Sequence, residues 1–135
     1  MRRFARTVAI VGSLAAAGCV VHAGPQPDSY EAAKRASGVE ASLATRSESV
    51  KGELLDLRMS DLVILTKDRV VSVPISAITL GVFDGSPLTI VNGQLPGYTE
   101  RETIRLMSRY PQGIPDVALK RLLTSKAQDS VVVIR

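Results

Sequence analysis

Cys19 and His22 are the only thiol and the only imidazole in these 135 residues, and both lie near the amino end. Downstream of His22 the chain must do any chemistry without the two side chains that most readily act as nucleophile, general base or soft metal ligand near neutral pH. What remains is a set of carboxylates, Glu53, Asp56, Asp61 and Asp84, and an adjacent Ser125-Lys126. The carboxylates fall in predicted strands and turns, where solvated acids are ordinary. Ser125 and Lys126 are neighbours in sequence, so one helix face cannot present both to one substrate. Gly93-Gln-Leu-Pro-Gly97 lacks the lysine and helix start of a phosphate-cradling loop. Asp84-Gly-Ser86 lacks the ring of oxygen ligands that calcium requires. No metal site and no cofactor site is expected, and a small hydrolase built on paired carboxylates is only an alternative.

One surface pattern is sharper. Arg101, Arg105 and Arg109 recur every four residues, which on a helix forms one cationic stripe. Such a stripe suits an anionic envelope ligand or lipid headgroups. Glu100 and Glu102 beside it also fit a plain solvated face. Tyr98 and Tyr110 flank the stripe and are expected to pack against the rest of the domain.

Cys19 gains meaning from what precedes it. Arg2, Arg3 and Arg6 form a basic start, Val8 to Ala17 an apolar stretch, and small residues lead to the cysteine, the layout of a cleaved export signal. The run Ala16-Ala17-Gly18-Cys19 resembles the lipobox of bacterial lipoproteins, although the usual leucine stands at Leu14 rather than at Ala16. The resemblance implies a diacylglyceride on Cys19, cleavage before it, and an extracytoplasmic, membrane-anchored protein. Where the source has two membranes, Val20 in place of an aspartate implies the outer one. An alternative cut after Val21-His22-Ala23 would release a soluble secreted protein. A retained anchor is disfavoured, because Gly12, Ser13 and Gly18 interrupt a stretch shorter than the ~20 residues that span a bilayer.

Charge excludes one function class. Without Arg2, Arg3 and Arg6, fourteen basic residues face thirteen acidic ones, so the formal net charge falls from +4 to +1. The electrostatic footprint that dominates nucleic-acid binding is absent, and no nucleic-acid partner is expected.

The elements follow from pattern. Residues 19–49 read as the lipidated cysteine and a flexible tether, with a short helix over Asp28 to Ser37 ended by Gly38. Residues 50–135 read as one small α+β domain. Val50–Leu57, Asp61–Thr66 and Val70–Val73 form a three-stranded meander, with a tight turn at Lys67-Asp68-Arg69. Pro74 belongs at a strand end or edge, and Ile75–Ile78 crosses to a fourth strand, Thr79–Phe83. Leu88–Val91 is a short apolar piece, and Asn92-Gly93 is suited to a two-residue hairpin turn. Thr99 and Glu102 make a capping box for a helix reaching about Tyr110, and Asp116–Ser125 a second helix. Ser130–Ile134 favours a buried or pairing strand.

The pattern Val50, Gly52, Leu54, then Leu62 and Ile64, Val71 and Val73, and a return through Ile75 and Ile78, resembles a small SH3-like or Sm-like β-barrel. The resemblance implies a strongly bent first strand, for which Gly52 leaves room. It does not carry over RNA binding, because Arg58-Met-Ser60 and Thr79-Leu-Gly81 stand where Sm proteins hold nucleotide-contacting residues. The chain is thus expected to be a lipid-anchored envelope protein, a non-catalytic interaction or structural module with a possible envelope protein partner. Its oligomeric state is open at this level.

Overall fold

The computed structural model describes residues 36–94 and 96–135. The signal, Cys19, His22 and the expected helix over 28–37, save its last two residues, lie outside them; Ala36 and Ser37 form a bend. The fold is mixed α+β, seven strands and two helices. In chain order these are β1 (Glu40–Thr45), β2 (Ser49–Leu57), β3 (Asp61–Leu65), β4 (Val70–Pro74), β5 (Ile78–Phe83), β6 (Thr89–Val91), α1 (Tyr98–Met107), α2 (Asp116–Ser125) and β7 (Val132–Val133). They form one sheet of order β6-β5-β1-β2-β3-β4-β7. All neighbours are antiparallel except β4 and β7, which are parallel. The sheet does not close. Its two edges are β6 and β7, so a closed barrel is corrected to an open sheet.

The meander β2-β3-β4 forms over the expected apolar segments, and Thr66 closes the Lys67–Arg69 turn by donating from Oγ1 to the Arg69 carbonyl at 2.8 Å. Ile75–Ala77 is a single 3-10 turn that carries the chain from β4 to β5, with the Ile75 amide bonded to the Ser60 carbonyl at 2.8 Å. Pro74 is the last residue of β4, where its missing donor costs nothing.

The tether reading of residues 19–49 needs correction at its far end. β1 lies in the middle of the sheet, paired with both β2 and β5. Composition hid it because its inward residues are few: Ala41 and Leu43 are buried, while Ser42 and Ala44 point the other way. A strand flanked on both sides gains its ladder bonds from its neighbours and needs little apolar surface of its own.

Two apolar layers sandwich the sheet. The inner cluster runs from Ala41, Leu43 and Leu54 through Ile64 and Val73 to Phe83, Ile90 and Ile134, and α1 adds Ile104 and Met107. The sheet wraps this cluster far enough that Ser47, in the β1–β2 hairpin, donates to the Arg135 carbonyl at 2.7 Å. The outer cluster is smaller: Leu55, Val63 and Val70 meet Ile114 and Leu119 and Leu123 of α2. A register shift between Leu54 and Asp56 inserts Leu55 as an extra residue. It lets Leu55 and Asp56 share the outer face while Leu57 returns inward, the effect of a β-bulge.

Both helices form, but α1 stops at Met107 rather than near Tyr110, and its capping box is not made. The N-cap is Gly97, two residues before Thr99, which places Glu100 at the third helical position. Its carboxylate folds back so closely that a Cβ at Gly97 would meet Glu100 Oε2 at 2.6 Å. Thr99 instead offers its carbonyl to Thr103 Oγ1 at 3.0 Å. Asn92 and Gly93 take positive φ of 52° and 66°, and the turn closes, but it leads to Gly97 and α1 rather than to a returning strand.

Candidate functional site

The arginine stripe is divided by the end of α1. Arg101 and Arg105 remain on the helix. Arg101 Nη2 donates to the Arg58 carbonyl at 3.3 Å, and Arg105 Nη1 pairs with Glu102 Oε1 at 3.2 Å. Arg109 lies past the helix and turns inward, its Nε donating to Glu53 Oε1 at 2.8 Å and Nη2 to Glu53 Oε2 at 2.6 Å. This is the fork geometry in which a guanidinium holds a carboxylate most firmly. The Glu53 bond, set against partial burial, holds the Arg109 pKa above its ordinary value.

Around that pair the chain is knotted by short bonds. The Gly38 amide donates to Glu53 Oε1 at 2.8 Å, the Arg109 amide to the Leu54 carbonyl at 3.1 Å, and the Val39 amide to the Met107 carbonyl at 2.9 Å. A Cβ at Gly38 would land on the Leu54 carbonyl oxygen, so glycine is required by this close approach. Glu53 and Arg109 therefore fasten the entry of the domain and the exit of α1 to β2. They are engaged with each other, not with a surface.

The remaining carboxylates do not converge. Asp56 is half-buried beside Gly113, and Arg58 Nε stands 3.7 Å from its Oδ2. Burial pushes its carboxyl above the ordinary value, against the pull of Arg58, the Leu57 amide and Arg105. Asp61 accepts from Ser60 Oγ at 3.0 Å and Ser72 Oγ at 3.2 Å. Asp84 is exposed in a turn. An open groove of about 340 Å³ runs between Ser86–Thr89 and the α1 residues Glu100 and Thr103, and neither Asp56 nor Asp61 lines it. Among the described residues no three His, Cys, Asp or Glu side chains group to hold a metal, and no helix is long and apolar enough to cross a membrane. Tyr98 and Tyr110, expected to pack, are both exposed, at 81% and 66%.

The feature that sequence reasoning missed is on the outer face of the sheet. α2 covers only β2, β3 and β4 there. On the other half, Leu80 and Val82 of β5 and Val91 of β6 stand 49%, 41% and 47% exposed. Leu80 pairs with Val91 and with Ala44 of β1, and Val82 pairs with Thr89 and Ser42, so these side chains form one continuous patch. The exposed Lys51–Glu40 pair, 2.9 Å apart, sits beside it across β1 and β2. A signal existed in Thr79–Phe83. Gly81 and Phe83 are inward, yet the alternate positions Leu80 and Val82 are apolar too, the two-sided pattern of a strand covered on both faces. No protein-family model matches the chain, and neither the curated proteins nor the solved structures contain a match to it.

Proposed function

We propose that the protein is a lipid-anchored envelope module that binds a protein partner through the outer face of β6, β5 and β1, and that it is not an enzyme. One observation carries this: the aligned Leu80, Val82 and Val91, left in solvent by a helix that covers only the other half of the sheet. Aligned apolar side chains cost free energy in water, and a contiguous apolar patch is a mark of interaction surfaces. The anchor is supported by the basic start, apolar stretch and Ala16-Ala17-Gly18-Cys19 run. Kinship with SH3-like and Sm-like barrels belongs to the same proposal. It is supported by the meander, by Gly52 and by the return through Ile75–Ile78 that lays β5 beside β1.

A photoreactive residue placed at Val82 tests the binding face in the native envelope. It should give one discrete adduct, whereas the same residue at Lys120, exposed on α2, should give none. Equal labelling from both positions would remove the binding face from the proposal.

A further inference from the structure

We draw no further inference here: the strongest candidate, the groove between Ser86–Thr89 and α1 beside the open edge of β6, adjoins the face already proposed to bind a partner, and nothing in the structure shows what covers it.

Discussion

Arg109 shows how a residue's chemistry depends on where its helix stops. Spacing alone groups it with Arg101 and Arg105, but α1 ends two residues earlier and the guanidinium closes on Glu53 instead. Arg109→Ala is expected to cost about 2 kcal/mol, since it strands a half-buried carboxylate that was held by two charge-assisted bonds. Arg109→Lys should recover only part of this, because an ammonium cannot make both parallel bonds. Arg105→Gln, losing only an exposed pair, should stay within about 0.5 kcal/mol in the same denaturant titration. Asp56 makes the opposite kind of prediction. Its raised pKa means that the fold favours the protonated acid, so this group's contribution is present below the ordinary carboxylate value and is lost as pH rises through the folded one. Asp56→Asn should therefore raise the unfolding midpoint at neutral pH, with the difference vanishing in acid. For Cys19, the proposed anchor predicts a mature protein whose intact mass includes acyl chains. An unmodified species beginning at Gly24 would contradict it.

The elements divide into those that announce themselves and those that neighbours create. The meander, the Lys67–Arg69 turn and α2 were legible because period and turn chemistry agree within each segment. β1 was not legible, since its pairing on both sides replaces the apolar content that a sequence can show. The true start of α1 was hidden by a glycine N-cap, which a Thr-x-x-Glu pattern two residues later outcompeted on paper. Gly52 was expected to let a bent first strand close a barrel; the sheet stays open, and the structure gives a different cause for the glycine: a Cβ there would land on the Leu65 carbonyl oxygen across the β2–β3 pair. Gly52→Val should lower stability by about 3 kcal/mol, because backbone on both sides must move to admit the side chain. An unchanged denaturant midpoint would show that β2 and β3 do not approach so closely.

At the scale of the whole molecule, one sheet carries two helices unequally. α1 plugs the inner cluster and α2 covers half of the outer face, and among the described residues Leu80, Val82 and Val91 on the other half stay exposed. The sequence shows β5 as apolar on both faces but cannot show that no helix of the described domain covers the second. Covalent footprinting of surface side chains, done on the purified protein and on the protein in its native envelope, tests the central claim most directly. The binding-module account predicts that Leu80, Val82 and Val91 label readily when purified and are protected in the envelope, while Val117 on α2 labels equally in both. Equal labelling of all four residues in both states would contradict it.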